Sequence, residues 1–383
     1  RNGKLKVRMV VDSKRSGVSK ATRKHERTLL PRALDVIQDG LSLLGVSPDG
    51  VLEFLVADFR DAFFIVPNKY SERRYFTIAY RGKVLVFLKT TQGSRGAPLT
   101  WARIAALVMR LTQAVVGYQQ CRISTYVDDP LIVTVGTPLQ RRRTFATILI
   151  LWSCLQLPLA MDKAKLGEQI TWTSAIFSGS SSGMQVRVKE ALVQETLEEI
   201  QAMVKSNLVS RKSLRACIGK LMHIASLIPT LRPFVSEMWA ALTSKSSGPA
   251  GDTVWAKQIA HSTSWLTAFL TESNVKLERS FELNTFQGLG KQVAICLDAS
   301  PWGLGGFLVE GGVIVSWFSC SLSNCEKKIL GIENATCEAQ QVVESLAVLV
   351  ALRGWKTRWV HERIQLRVKS DSVSALVMAM NLK

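Results

Sequence analysis

The chain has 383 residues, of which 47% are hydrophobic and 21% charged, a balance that excludes a wholly disordered protein and supplies material for two or three domains. Lys and Arg number 49 against 30 Asp and Glu, a formal net charge of +19, which points to a polyanionic partner, nucleic acid first and a membrane surface second. Residues 1–150 hold 25 basic and 11 acidic side chains and residues 251–350 only 6 and 10, so the polyanion belongs to the N-terminal part. Seven cysteines with no C-x-x-C pair read as reduced thiols of an intracellular protein, cytoplasmic or nuclear, and speak against a zinc site. The chain opens at Arg1 with neither Met nor an apolar leader and reads as a fragment.

In chain order, strand-like runs stand at 6–11 (KVRMVV), 52–59 (LEFLVADF), 83–88 (KVLVFL), 123–127 (ISTYV) and 131–135 (LIVTV). A helix is predicted over 98–116, with Pro98 suited to its first turn. The uncharged run Thr144–Met161 contains Ser153, Gln156 and Pro158 and follows Arg141, Arg142 and Arg143, which predicts a buried helix and no membrane span. The segment SGSSSG at 178–183 lies between WTSAIF and MQVRV and reads as a hairpin loop. KEALVQETLEEIQAMV and RKSLRACIGKLMHIASLI carry apolar residues at three- and four-residue spacing, the second ending at Pro229, so 184–243 reads as mostly helical. SKSSGPAG at 244–251 reads as a linker. Beyond it come a helix-like stretch, strands at 293–298, 304–309 and 313–318, a long helix around 336–353, a strand at 365–370 and another helix start. The chain is thus α+β, with a second α/β domain at its end.

Two sets of carboxylates stand out. Asp58 ends the strand LEFLVAD, and Asp128 with Asp129 sits between two strand-like runs, at a hairpin tip. A strand-end aspartate beside such a pair brings three carboxylates to one edge of a sheet, as two-metal phosphoryl transfer requires; Asp pairs also occur in turns for backbone hydrogen bonding alone. In the second set Asp298 ends VAICLD, Asp371 ends LRVKSD, and Glu344 lies on the intervening helix on a stripe with Ala347, Val348 and Ala351. Convergence from two strand ends and a helix again suits two metal ions.

VADFRDAFFIVP, TTQGSRGAP and TYVDDP, in this order, resemble the successive palm motifs of reverse transcriptases, the last being the YxDD box. The resemblance extends to VRMVVDSKRSGV in the fingers position and to LPLAMDKAKLGEQITW after the YxDD hairpin. The order of strands and helices around DASPWGLGG and SDS resembles an RNase H domain. Together the segments resemble the Pol region of an LTR- or DIRS-like retrotransposon. The resemblance implies a right-hand polymerase followed by a truncated RNase H-like α/β domain: fingers and palm over 1–183, a helical thumb-like region over 184–243, a connection over 244–290 and the RNase H-like part over 291–383.

It implies Asp58 and Asp128 as metal-bridging carboxylates with Asp129 supporting them, and Lys163, with Lys165 as its rival, as the donor of a proton to pyrophosphate. Phe63 matches the steric gate against a ribose 2′-hydroxyl, Gln92 and Gly93 the turn on the incoming nucleotide, Tyr126 a further nucleotide contact, and Arg8 with Lys4 and Lys6 the cations that hold the triphosphate. Asp298, Glu344 and Asp371 match RNase H carboxylates. The implied cofactor is Mg²⁺, two ions per active site, with Mn²⁺ as a substitute. The implied partners are primed RNA or DNA template, RNA–DNA hybrid and deoxynucleoside triphosphates, and no membrane. Four departures mark the chain: Pro130 after the Asp pair, Thr173 and Ser174 in WTS where a glycine is usual, Ser13 and Lys14 in the fingers pattern, and an end at Lys383 before the segment that carries a fourth RNase H carboxylate. They leave a second reading, a catalytically silent nucleic-acid-binding remnant, which the intact Asp58, Asp128 and Asp129 oppose; a third, an RNA-dependent RNA polymerase, is disfavoured by Phe63 and the RNase H-like segment.

Overall fold

The structure, a computed structural model, describes residues 10–23, 26, 28–47, 50–244, 252–272, 277–332 and 337–381. The run at 6–11 and the linker at 244–251 lie largely outside them. The chain divides into two compact units, Arg1–Val186 and Arg187–Lys383.

Besides short helical turns, the first unit contains α1 (Ala33–Val46), β1 (Glu53–Val56), β2 (Thr77–Tyr80), β3 (Lys83–Val86), α2 (Ala97–Val116), β4 (Cys121–Tyr126), β5 (Asp129–Thr134), α3 (Pro138–Cys154), β6 (Lys165–Gly167), β7 (Gln169–Trp172), β8 (Ala175–Ser180) and β9 (Gly183–Val188), whose last residues enter the second unit. Its main sheet has the order β4-β5-β1-β6, antiparallel throughout. β5 is interior to this sheet and buried from Pro130 to Thr134, which explains why LIVTV is apolar without alternation. Leu55 of β1 packs into a core with Phe59, Trp101, Ile132, Phe145, Ile148 and Trp152, while its neighbour Phe54 is fully buried on the opposite face. Each such side chain contributes about 1.5–3 kcal/mol by leaving water.

Pro98 stands in the first turn of α2, as its sequence predicts. By length and composition α2 could cross a membrane, but Trp101, Ala105, Val108 and Met109 of this helix are buried in the core. α3 starts on a capping box, Thr137 with Gln140, and Pro138 in its first turn. It ends at Cys154, so only the first part of the uncharged run is helical. Arg141, expected only to flank that run, is buried. It ion-pairs with Glu53 at 2.9 Å and donates to the carbonyls of Val51 and Gly136, tying α3 to the start of β1. The predicted loop at 178–183 is tighter than its composition suggests: β8 and β9 leave only residues 181 and 182 between them.

The second unit opens with α4 (Glu190–Val204), β10 (Leu208–Ser210), α5 (Arg211–Leu227), α6 (Arg232–Thr243), β11 (Thr253–Trp255), α7 (Ala260–Thr271) and β12 (Glu278–Glu282). The four helices pack α4 on α5, α5 on α6, α6 on α7 and α7 back on α4. MQVRV, which alternates and flanks the expected hairpin loop, is strand at 184–188, and helices make up most of the region from there to 243. There follow β13 (Lys291–Ser300), β14 (Gly303–Glu310), β15 (Val313–Ser321), α8 (Asn324–Ile329), α9 (Cys337–Gly354), β16 (Ile364–Lys369) and α10 (Val373–Asn381). This is the predicted order of three strands, helix, strand, helix, with one short helix, α8, added before α9. The sheet runs β15-β14-β13-β16, with β16 parallel to β13 and the other pairs antiparallel. α9 covers it with Val343, Ala347, Val348 and Ala351 buried.

Candidate functional site

β1 ends at Val56 for a reason found on β5. Ala57 N–H donates to the Pro130 carbonyl at 3.1 Å, and Pro130, having no N–H, cannot return the bond. The chain is released there, and Asp58 follows. Phe59 N–H donates to the Asp128 carbonyl and Ala160 N–H to that of Asp58, both at 2.9 Å, so the backbones of Asp58 and of the Asp pair meet at one end of the sheet. The pair does not share the hairpin tip. The two loop residues are Val127 and Asp128, and Asp129 already opens β5, in register with Tyr126.

Val127 has φ 58°, left-handed backbone that a β-branched side chain rarely adopts. The indole N–H of Trp101 donates to its carbonyl at 2.7 Å and that of Trp172 to the Asp129 carbonyl at 3.1 Å, so two tryptophans pin the loop from both sides. Neither was legible as a site residue, since each bond spans more than 20 residues and no local pattern announces it.

Lys163 lies in a helical turn, Met161–Lys163, and its ammonium is paired with the Asp58 carboxylate; Lys165 is exposed in β6. Asp129 is pushed up to about 6, by burial first and then by the negative charges of Asp128 and Asp58, while Lys163 pulls the other way. Four charged groups at one sheet end therefore sense one another. The three carboxylates among them offer hard oxygen donors, which suit Mg²⁺ or Mn²⁺.

Phe63 follows Asp58 in a helical turn, Ala62–Ile65, and is half-buried against the core. Gly93 has φ 96°, and a Cβ there would lie 2.0 Å from the Val11 carbonyl oxygen. Val11 N–H donates to the Gln92 carbonyl and the Ser13 hydroxyl to the Gly93 carbonyl. Ser13, a departure from the fingers pattern, is thus an anchor of this turn. Tyr126 meets Trp172 edge to face, ring centres 6.3 Å apart. Arg8, Lys4 and Lys6 lie outside the described residues.

In the second unit, oxygens of Asp298, Glu344 and Asp371 lie within 4.8 Å of one another, and these side chains form the one such group of three or more among the described residues. Asp298 is not at a strand end, contrary to the sequence expectation: β13 continues to Ser300, and Asp298 stands opposite Gly305 of β14. Asp371 follows β16, and Glu344 reaches them from α9. Glu344 is buried and receives a hydrogen bond from Gln340 at 2.8 Å, while the same Gln340 amide donates to the Ala299 carbonyl. Burial, then the charges of Asp371 and Asp298, hold Glu344 above the usual carboxylate range, against the hydrogen bonds of Gln340 and Ser370.

No protein-family model and no curated protein sequence matches the chain. Among solved structures it is similar to the foamy viral protease-reverse transcriptase dRH in complex with ds DNA, with a TM-score of 0.53 and 14% identity over 96% of this chain and 57% of that one. Two further foamy viral protease-reverse transcriptase structures, with dsDNA and with RNA/DNA hybrid, give TM-scores of 0.48 and 0.43 at 13% and 14% identity, covering 94% and 88% of this chain and 66% and 41% of theirs. The chain therefore has a reverse transcriptase-like fold at low sequence identity, and spans little more than half the length of the first of these structures.

Proposed function

We propose that the chain is an RNA-directed DNA polymerase of a retroelement, LTR- or DIRS-like, that extends a primer on an RNA or DNA template. The domain reading goes with it: fingers and palm over 1–183, a thumb-like region over 184–243, a connection over 244–290 and an RNase H-like part over 291–383. The observation that carries the reading is the gathering of Asp58, Asp128 and Asp129 at one end of the first sheet with Lys163 against Asp58. Asp58 and Asp128 would hold two Mg²⁺ ions, with Asp129 beside them. The ions would supply Lewis acidity at the primer 3′-hydroxyl and at the triphosphate. The primer 3′-hydroxyl would give up its proton to solvent as its oxygen bonds to the α-phosphorus of a deoxynucleoside triphosphate, the bond from that phosphorus to the bridging oxygen would break, and Lys163 would give its proton to the departing pyrophosphate. Phe63 would close against C2′ of the sugar, and Gln92 and Gly93 would flank the nucleotide. The topology of the second sheet and the 4.8 Å convergence of Asp298, Glu344 and Asp371 support an RNase H-like reading there.

Primer extension on RNA and DNA templates with Mg²⁺ tests the proposal, with the Asp128→Ala, Asp129→Ala double variant as control. Extension with deoxynucleotides that vanishes in the double variant is expected. Template binding without extension under Mg²⁺ or Mn²⁺ would make the chain a silent nucleic-acid-binding remnant, and extension with ribonucleotides alone would make it an RNA polymerase.

A further inference from the structure

We propose that the β2–β3 hairpin and the helical turn before it, Tyr70–Tyr75, form a platform for single-stranded nucleic acid that uses no residue of either carboxylate set. The inference goes beyond the polymerase reading and stands without it.

Three tyrosines face solvent here: Tyr70 is 84% exposed and Tyr75 and Tyr80 each 54%. Each carries a guanidinium over its ring, Arg73 at 5.4 Å, Arg74 at 4.9 Å and Arg81 at 5.3 Å from the centroid. Residues 69–89 hold six cations, the other three being Lys69, Lys83 and Lys89, against one acid, Glu72. Among the described residues none of the six has a carboxylate within ion-pair distance. Among the described residues that positive charge has no carboxylate partner, which leaves it available to a polyanion. Between the cations the hairpin shows Val84, Leu85 and Val86, all exposed. In its register Tyr80 pairs with Lys83, and the loop Arg81–Gly82 takes left-handed backbone at both residues.

The platform is anchored. Asn68, buried, donates from its side chain to the carbonyls of Phe87 and Lys89, and accepts from the Thr90 hydroxyl. Arg73 Nε donates to the Asn68 carbonyl, so that guanidinium is positioned in advance. Phe87 N–H donates to the Phe76 carbonyl, joining hairpin and turn.

Alternating rings and guanidinium groups that carry no carboxylate among the described residues match a polyanion that also offers flat π faces. A duplex hides those faces in its stack, and an acidic peptide uses the charge and leaves the rings idle. A single strand satisfies both, its phosphates on the cations and its bases on the tyrosines.

The test is fluorescence anisotropy in EDTA, without primer or triphosphate, using labelled oligothymidylate of about 12 nucleotides, within the usual site size, and an abasic strand of the same length. The wild-type chain should prefer the base-bearing strand. Tyr75→Ala with Tyr80→Ala should weaken oligothymidylate binding by about thirtyfold or more, the low end of the loss for two stacked bases, with little change for the abasic strand, while Tyr75→Phe with Tyr80→Phe should keep the preference. Arg74→Gln with Arg81→Gln should flatten the slope of log K against log salt by about 1.4, at roughly 0.7 for each phosphate that is no longer neutralised. Unchanged oligothymidylate affinity in the alanine pair overturns the proposal. So does a loss confined to phosphatidylserine vesicles or to self-association in sedimentation velocity. The readout needs no catalysis, so failure of primer extension leaves it intact.

Discussion

The loop between β7 and β8 holds Thr173 at φ 46° and Ser174 at φ 70°. Two residues in left-handed backbone make a type I′ hairpin turn, for which Asn-Gly is the favoured pair. This is the stretch where the reverse transcriptase-like pattern would carry a glycine. Left-handed backbone costs an ordinary L residue about 1–2 kcal/mol, less for Asn and nothing for Gly. The gain at Ser174 is reduced by about 0.4–1 kcal/mol, because glycine loosens the unfolded chain. Neither hydroxyl is hydrogen-bonded among the described residues, so removing them breaks no bond. The balance for Thr173→Asn with Ser174→Gly is about 1–2 kcal/mol of added stability. A first unit of 186 residues converts each kcal/mol into about 2–4 °C, so its Tm should rise by about 2–8 °C. Thermal unfolding followed by tryptophan fluorescence measures this, Trp172 being the residue before the loop. An unchanged or lowered Tm would refute the assignment of strain to this turn.

Gly93→Ala should detach the segment at Val11: with φ 96° and the Val11 oxygen 2.0 Å from the new carbon, the backbone must move. Faster hydrogen exchange at the Val11 amide, which now donates to Gln92, is the expected sign, together with a loss of about 2 kcal/mol or more of stability; protection equal to wild type would refute it. Asp39 is pushed up to about 6 from an ordinary 3.8, by burial against the pull of Arg122. Its folded form thus binds a proton more readily than its unfolded form, and wild-type stability should rise as pH falls through 6 toward 3.8. Asp39→Asn should therefore be the more stable at pH 7, by about 1–2 kcal/mol after allowance for screening, with the difference fading near pH 4. Urea unfolding across that range would refute the reasoning by giving a pH-independent difference.

Where periodicity and composition decide structure, the sequence was legible. LIVTV is a buried interior strand, 98–116 a helix begun by Pro98, and the last hundred residues follow the order read from their apolar runs. Three short strands were not legible: β2, β6 and β7, of three or four residues each, lack the continuous apolar run that marks the equally short β1 and β3. Long-range polar contacts were hidden for another reason. Arg141 reads as a flanking charge until Glu53, 88 residues away, is seen beside it. Val127 carries no turn signal, since a β-branched residue in left-handed backbone is what local propensity argues against. That Lys163, and not Lys165, reaches Asp58 follows from one helical turn, which directs the first at Asp58 and leaves the second in a strand.

The two carboxylate sets meet the same electrostatic difficulty differently. In the first, an ammonium does part of the neutralising: Lys163 sits on Asp58, and Asp129 takes up a proton more readily than usual. In the second, no ion pair to Asp298, Glu344 or Asp371 exists among the described residues, yet the three are closer together than the first set and one of them is buried. Like charges at that separation repel, so something other than their own interaction brings them together. It is the parallel pairing of β13 with β16 and the packing of Ala347 and Val348 of α9 on the sheet, which fix all three backbones whatever their side chains prefer. Gln340 then holds Glu344 against the Ala299 carbonyl, so the buried carboxylate cannot swing away to relieve the repulsion. Convergence imposed by rigid elements at an electrostatic cost is a stronger mark of a cation site than a count of acids in a sequence.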